Sequence, residues 1–234
     1  MRARTAPIVG ALLSVLSAEA ALASILYTYN DPSGLGAEAE FSFLNPTTLQ
    51  VRLKNTSTGV PGGFESSDQL LTSVSWTFKN GITITGGTVF TGPTSQSLNF
   101  SILNVGANAD VSGEWGFGNG GATGLGMNYI SSNAAGTTPF GGANLDATVN
   151  IDGPQAGLVA NPALVPLGGL GAIENEIIAT LTLSAVYSEA QLLADLVANG
   201  SIVEFGSDAA FLPGPAAFAA IGIAGILAGR RRRR

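Results

Sequence analysis

Residues 41–53, FSFLNPTTLQVRL, alternate large apolar side chains with polar ones. The apolar members of this pattern are Phe41, Phe43, Leu49, Val51 and Leu53. Successive side chains of a β-strand point to opposite faces, so the spacing collects these apolar groups on one face. We therefore predict half-buried antiparallel strands, with one face in a core and the other in solvent.

The same two-residue period recurs along the chain and indicates further strands. Its apolar members are Val74, Trp76 and Phe78, then Leu98, Phe100 and Ile102, and later Ile177, Ala179, Leu181 and Leu183. Shorter segments with strand character are 147–151 and 201–205. Between residues 74–79 and 82–85 stands Asn80-Gly81. Because both residue types accept a positive φ, this dipeptide predicts a type I′ β-hairpin.

One helix is predicted late in the chain. Ser188 and Gln191 have the spacing of a capping box, and Asn199-Gly200 supplies a stop signal. The apolar face between them comprises Leu192, Leu193, Leu196 and Val197. Short strands, one short helix and glycine- or proline-containing turns predict an all-β fold, an antiparallel two-sheet β-sandwich of jelly-roll or immunoglobulin-like kind. We expect the helix to plug one open end of this sandwich.

Composition and charge exclude several classes of function. The 234 residues include 32 glycines but no histidine and no cysteine. Imidazole bases, thiolate nucleophiles, disulfides and zinc sites with nitrogen or sulfur ligands are thereby excluded. Residues 24–212 hold 15 acidic residues against the three basic residues Arg52, Lys54 and Lys79, a formal charge of −12. A surface this acidic disfavours nucleic acid and anionic headgroups as partners.

Residues 1–23 have the organisation of a secretory signal peptide. Two arginines precede an apolar stretch at 8–16 that is too short to span a bilayer, and small residues follow it. We predict cleavage after Ala23, at the Ala21-Leu22-Ala23 site, with residues 18–20 as a competing site. The Sec translocon would then export the chain, and the body would comprise residues 24–212.

Residues 213–234 form a more distinctive second signal. Pro213-Gly214-Pro215 interrupts any preceding structure, and residues 216–229 then contain no polar side chain. The chain closes on five arginines, Arg230, Arg231, Arg232, Arg233 and Arg234. A helix of the apolar residues would reach roughly 21 Å, short of the ~30 Å hydrocarbon core, and the arginines favour the cytoplasmic side. We expect this hydrophobic helix to hold an exported chain at the membrane.

The order of a Pro-x-Pro motif, an apolar helix and a terminal arginine cluster resembles the PEP-CTERM sorting signal of bacteria that make exopolysaccharide. Gly214 stands where that family usually has the glutamate of Pro-Glu-Pro. The resemblance is confined to residues 213–234. It implies cleavage by an exosortase-type peptidase, transient membrane anchoring and delivery to the cell surface or the extracellular matrix. A permanent membrane anchor, which would keep the arginines in the mature protein, is the alternative.

Paired carboxylates are the groups that glycoside hydrolysis requires. The candidate pairs are Asp110 with Glu114, Glu174 with Glu176, and Glu38 with Glu40. Glu38 and Glu40 lie two residues apart in a strand pattern, so we expect both on the solvent side. The Asp110 and Glu114 pair is the better candidate because it flanks a glycine-rich loop. Such pairs also arise by chance in an acidic body, so no catalytic residue is predicted.

Oxygen ligands from Asp146 and Asp152 could hold a structural Ca²⁺. The alternation of residues 147–151 favours a different interpretation, in which these acids lie on an exposed strand face and in the turn after it. We therefore predict no metal and no other cofactor.

The glycine-rich segment contains one motif that matches a dinucleotide-binding fingerprint in its letters, Gly116-x-Gly118-x-x-Gly121. That motif binds a pyrophosphate only where a helix follows, and here more glycine follows. We interpret residues 118–142 as mostly loop, with a short strand at 127–130.

Aromatic rings offer flat faces on which sugar rings stack. Trp76 shares its strand face with Val74 and Phe78 and is predicted to lie in the core. Trp115 lies between Glu114 and Gly116 and is the candidate for glycan stacking, with partial burial as the other interpretation.

The two terminal signals and the acidic β-rich body together predict an exported, non-enzymatic protein of the cell surface or the exopolysaccharide matrix, with a structural or adhesive role. A carbohydrate-binding module that uses Trp115 is the alternative from the binding class. A glycoside hydrolase that uses paired carboxylates is the third.

Overall fold

The computed structural model describes residues 24–30, 32–58, 69–98, 105–120, 128–132, 156–160, 171–206 and, for the backbone alone, 210–213. These residues form two β-sheets and one short helix. The predicted signal peptide, residues 214–234 and the segment 147–151 lie outside the described residues.

The first sheet, here called sheet A, has five strands in the order β1-β2-β3-β11-β5. All neighbouring strands in it are antiparallel. The strands are β1 (Ile25–Asn30), β2 (Gly36–Asn45), β3 (Thr48–Asn55), β5 (Ile84–Thr91) and β11 (Glu176–Leu183). Residues 41–53, whose alternation predicted strands, thus form most of the β2–β3 hairpin. Phe41 pairs with Val51 in it.

The second sheet, sheet B, is formed by the remaining described strands. They are β4 (Leu71–Trp76), β6 (Gln96–Leu98), β7 (Gly116–Asn119), β8 (Asn128–Ser131), β9 (Leu158–Val159), β10 (Ala172–Glu174), β12 (Ile202–Phe205) and β13 (Ala210–Pro213). The order β13-β12-β4-β9-β10-β6 is extended by β8, which pairs with β4, and by β7, which pairs with β8. Contrary to the prediction of purely antiparallel sheets, β9 and β10 run parallel.

One hydrophobic core joins the inner faces of the two sheets. The predicted alternation is confirmed there: Leu49, Val51 and Leu53 are fully buried. A chain of edge-to-face aromatic rings crosses the core from Phe41 to Trp76 at 5.3 Å between ring centroids, and on through Phe78 to Tyr187. Each such pair adds about 0.5–1.5 kcal/mol beyond the area that it buries.

Strand β4 differs from its prediction as a half-buried strand. All six of its residues are buried, including Ser73 and Ser75 on the side opposite Val74 and Trp76. β4 is an inner strand of sheet B, paired with β12 along one edge and with β8 and β9 along the other. Serine side chains are small enough to lie on a buried or an exposed face. The serines of the alternating pattern therefore did not reveal that both faces of β4 are buried.

The Asn80-Gly81 turn is confirmed, but the hairpin predicted around it is wrong. Both residues adopt positive φ, 63° and 69°. The strands that flank the turn lie in different sheets, β4 in sheet B and β5 in sheet A. Side chains elsewhere accept the backbone N–H groups that a hairpin would use. The acceptors are Asn128 for Phe78, Asp195 for Lys79, Ser184 for Thr83 and Asn119 for Ile84.

Helix α1 (Glu189–Asn199) has the predicted capping box, with Ser188 and Gln191 bonded to each other's backbone N–H groups. Its buried residues are Leu192, Asp195 and Leu196. Val197, which the sequence places on the apolar face, is 65% exposed. The carboxylate of Asp195 accepts hydrogen bonds from the Tyr187 hydroxyl and the Lys79 backbone N–H. The helix is therefore fixed to the Asn80-Gly81 turn by a buried polar contact.

Several strands were not expected from the sequence, namely β1, β7, β9, β10 and β13. β1 buries Ile25, Tyr27 and Tyr29 in the core as an edge strand of sheet A. β7 occupies the start of the glycine-rich segment and pairs with β8, which confirms a strand near 127–130. It overlaps the predicted loop only at Gly118 and Asn119, and residues 121–127 lie outside the described part of the chain. Gly116 and Gly118 hence lie in a strand, where the dinucleotide fingerprint has no role.

Candidate functional site

The outer face of sheet A, the side turned away from the core, gathers charged, hydroxyl and apolar side chains on five neighbouring strands. Strand pairing aligns one residue from each strand in a row that ends on a short bridge to Asp110. In order, the row is Leu26, Glu40, Arg52, Ile178, Phe90 and Asp110. Neighbouring strands lie about 4.8 Å apart, so the five strand positions span roughly 19 Å.

Arg52 at the centre of this face binds two carboxylates. Its Nε donates to Glu176 at 2.6 Å, and its Nη1 donates to Glu40 at 3.2 Å. The Glu176 side chain is only 4% exposed, whereas those of Arg52 and Glu40 are 40% and 32% exposed. Burial by itself lowers the pKa of Arg52, but the hydrogen bonds and charges of Glu176 and Glu40 raise it above its ordinary value. The guanidinium therefore stays charged and neutralises the buried carboxylate.

The surroundings of Glu176 hold it in place. Ser95 donates its hydroxyl to the Glu176 carbonyl and accepts the Glu176 backbone N–H. Gly92 packs directly against the side chain, where a Cβ would overlap with it. Glu176 is thus a fixed, buried anchor for the arginine that lies on the surface.

Phe90 marks the apolar end of the row. Among the aromatic side chains that the structure describes, only that of Phe90 is exposed, at 38%. Ile178 is its partner on β11, and Asp110 is bridged to it on the other side. Asp110 accepts hydrogen bonds from the backbone N–H and the hydroxyl of Ser112. An exposed ring therefore lies between an aliphatic side chain and an oriented, exposed carboxylate.

Hydroxyl and amide groups form the next row of the same face. Thr88, Thr180 and Gln50 are aligned on β5, β11 and β3. All three are exposed or half-buried. Gly86, one step further along β5, has open space where a side chain would project. The surface beside Phe90 is consequently low and rich in uncharged hydrogen-bonding groups.

The carboxylate pairs singled out in the sequence do not share one environment. Glu38 and Glu40 lie on the solvent side of β2, as predicted. Asp110 is exposed but Glu114 is 1% exposed. Glu174 and Glu176 are both buried, and they accept hydrogen bonds from Gln96 and Arg52 respectively. Of these six carboxylates, the exposed or half-buried ones, Glu38, Glu40 and Asp110, therefore lie on the outer face of sheet A or beside its edge.

The structure corrects the prediction of glycan stacking at Trp115. Its side chain is fully buried, and its indole N–H donates to the Ala156 carbonyl at 2.8 Å. A ring enclosed in this way offers no flat face to a sugar. Trp76 lies in the core as predicted, at 1% exposure.

The other predicted site residues lie mostly outside the described part of the chain. Asp146 and Asp152, Ala21 and Ala23, and Gly214 through Arg234 are not described, while Pro213 ends strand β13. Within the described ranges no group of three or more acidic residues is arranged to hold a metal ion. Within the same ranges no helix has the length and apolarity needed to cross a membrane.

Phe90 was missed at the sequence level. In the segment Thr88-Val89-Phe90-Thr91 the two apolar residues are adjacent and so point to opposite faces of the strand. Alternation alone therefore does not decide whether Val89 or Phe90 faces the core. Pairing with β11 decides it: Val89 is fully buried and Phe90 faces outward.

Comparison with known proteins finds no family model that matches the chain, and no curated protein or solved structure with significant similarity. The function is therefore argued from the residues themselves.

Proposed function

We propose that this chain is an exported, non-enzymatic protein of the bacterial cell surface or exopolysaccharide matrix, with a structural or adhesive role. A Sec-type signal would direct export, and an exosortase-type peptidase would process the C-terminal tail. The observation that carries the proposal is the order of Pro213-Gly214-Pro215, an uncharged apolar segment and five terminal arginines. Few other roles require a cationic cluster directly after 14 residues without a polar side chain.

The positions of the first and last described strands support this reading. Strand β1 begins at Ile25, two residues after the proposed cleavage point at Ala23. Strand β13 ends at Pro213, the first residue of the proposed sorting signal. Both strands are at sheet edges, so removal of either terminal signal would leave the core strands in place. We also infer that the two sheets form a β-sandwich of jelly-roll or immunoglobulin-like kind.

The test is the intact mass of the protein recovered separately from the medium and from the cell envelope. We expect a chain that begins at Ser24 and lacks Arg230 to Arg234. A matched variant, Pro213→Ala with Pro215→Ala, should keep its signal-peptide cleavage but accumulate with the arginines attached. A wild-type mature protein that retains the arginines would instead indicate a permanent anchor, and retention of residues 1–23 in the cytosol would reject export.

Carbohydrate binding at the cell surface is a second candidate, now favoured by the outer face of sheet A rather than by Trp115. The observation behind it is the exposed Phe90 ring between Ile178 and Asp110.

A further inference from the structure

We propose that the outer face of sheet A binds a neutral, hydroxyl-rich polysaccharide, with Phe90 as the stacking residue. The inference rests on the proposed function, because it assumes that the protein meets such polymers outside the cell. It assigns the site to Thr88, Phe90, Thr180, Gln50 and Asp110.

The first step of the argument is the chemistry of the exposed ring. A pyranose presents a face of C–H groups and an edge of hydroxyls, so it requires a flat apolar surface beside hydrogen-bonding groups. Phe90 provides the flat surface and is 38% exposed, and Ile178 on the next strand extends its apolar area. Covering an exposed aromatic ring with such a face removes apolar area from water and lowers the free energy of the complex.

The second step is the supply of hydrogen-bonding groups on both sides of the ring. Asp110 lies beyond the sheet edge, and Ser112 orients its carboxylate. Thr88 and Thr180 lie in the adjacent row, about 6.7 Å along the strands. The two threonine hydroxyls both donate and accept, and the Asp110 carboxylate accepts, so together they match the hydroxyls of a sugar. The absence of a side chain at Gly86 leaves space for the polymer to continue across the sheet.

The third step is charge, which selects a neutral polymer over an anionic one. Arg52 is one of three basic residues in a body of formal charge −12, and Glu40 and Glu176 already neutralise it. An anionic chain would meet Asp110 and an acidic protein without a free cluster of bases. A second protein copy is also disfavoured, because the row contributes only three apolar side chains, Leu26, Ile178 and Phe90, and a stable interface needs a larger apolar centre.

The test is affinity electrophoresis of the full chain in native gels that contain a sugar-free nonionic detergent. The probes are soluble neutral polysaccharides, namely dextran, a β-1,3-glucan, glucomannan and xyloglucan, with alginate as the anionic comparison. We expect retardation by at least one neutral polymer, insensitive to salt. Phe90→Ala should weaken it roughly tenfold and Phe90→Trp should preserve it.

A matched control lies in the same row. Leu26 is 42% exposed but four strands away, so Leu26→Ala should leave retardation unchanged. Thr180→Val removes a hydroxyl at nearly constant volume and should weaken binding several-fold without a change in the unfolding midpoint. No retardation in any neutral gel, or equal retardation of wild type and Phe90→Ala, overturns the inference. So does salt-sensitive retardation by alginate alone. None of these results affects the mass test, so failure of this site is distinguishable from failure of the proposed function.

Discussion

At the scale of single residues, the Arg52–Glu176 pair shows how a charged side chain is accommodated at the buried first residue of β11. Glu176 is 3% exposed, and its carboxylate depends on one guanidinium for charge compensation. The arginine remains partly in water, so its own desolvation is limited. The pair thus supports the sheet and also fixes the position of a surface cation.

We expect Arg52→Ala to lower the free energy of unfolding by about 2–3 kcal/mol, because it leaves a buried carboxylate without its cation. Glu40→Gln, on the exposed side of the same arginine, should cost less than about 1 kcal/mol. Urea denaturation of both variants at neutral pH gives the comparison. Equal losses from the two substitutions would mean that the burial of Glu176 does not decide the energetics of the network.

The Tyr187 hydroxyl is a second buried polar group with a defined energetic role. Burial, together with the hydrogen bond to Asp195 and its negative charge, raises the pKa of this phenol well above its ordinary value of 10.0. A group whose pKa is higher in the folded state stabilises the fold below its unfolded pKa. That contribution is lost as the pH rises above 10.0.

We expect Tyr187→Phe to reduce the free energy of unfolding by about 1–2 kcal/mol near neutral pH, because the Asp195 carboxylate loses a hydrogen-bond donor. The difference between wild type and variant should shrink above pH 10.0, where the unfolded wild-type chain loses the phenol proton. Denaturation series at several pH values between neutrality and pH 10.0 and beyond measure it. A difference that grows with pH would reverse the assigned sign.

Residue exposure was the part of the site that the sequence could not supply. Trp115, in the segment Gly113-Glu114-Trp115-Gly116, has the local composition of a surface loop, but the indole hydrogen bond to Ala156 is made across 41 positions of sequence. Phe90 has the composition of a buried strand, and only its pairing with β11 turns it outward. Local pattern gives the alternation of faces, whereas long-range pairing decides which face is covered.

At the scale of elements, two adjacent glycines of β5 provide a matched comparison. A Cβ on Gly87 would lie 2.6 Å from the Thr180 carbonyl oxygen and 3.0 Å from a Leu181 methyl group. A Cβ on Gly86 would meet nothing within 4 Å. Gly87 therefore permits the close approach of β5 and β11, which supports the strand that presents Phe90.

We expect Gly87→Ala to destabilise the protein by about 1–3 kcal/mol, because the backbone of β11 cannot move away cheaply. Gly86→Ala should be neutral or slightly stabilising, since it reduces the freedom of the unfolded chain without a clash. Thermal unfolding of the two variants under identical conditions gives the readout. If Gly86→Ala were the more damaging of the two, the proposed strand spacing would be incorrect.

The Asn80-Gly81 segment shows that a local sequence pattern can predict a turn without predicting which strands pair beside it. The local conformation follows from the two residue types, and both adopt positive φ as expected. The pairing of the flanking strands does not follow, because four backbone donors around the turn have side-chain acceptors from distant segments. A dipeptide specifies the turn, and the acceptors available in the folded protein decide whether a hairpin or a crossing between sheets forms.

At the scale of the whole molecule, the alternating apolar residues predicted β2, β3 and β11 of sheet A, and the capping box with its stop signal predicted α1. The sequence patterns did not predict β1 or the parallel pairing of β9 with β10. β1 was missed because Ile25 and Leu26 are both apolar, so alternation alone does not assign its buried face, although Ile25, Tyr27 and Tyr29 pack in the core and Leu26 is exposed. The parallel pair is only two residues long on β9, too short to leave a pattern. Such edge and connecting strands depend on the assembled core rather than on their own sequence.

The position of β13 leads to a prediction about where the folded body ends. Its four residues pair with β12 from Ile202↔Pro213 to Phe205↔Ala210, and β12 in turn pairs with the fully buried β4. A chain that starts at Ser24 and stops at Pro213 keeps every described strand. A chain that stops at Gly206 exposes the backbone groups of β12 along its outer edge, which invites pairing with other chains.

We expect the free energy of unfolding of the chain 24–213 to equal that of 24–234 within about 0.5 kcal/mol in the same detergent. The chain 24–206 should lose about 2 kcal/mol or more and should aggregate, because four residues of strand pairing are missing. Urea denaturation and size-exclusion chromatography of the three chains measure both effects. Unfolding of 24–213 would show that residues beyond Pro213 belong to the folded body, and a stable monomeric 24–206 would show that β13 is dispensable. Either result would remove the support that the end of β13 gives to a processing signal at Pro213.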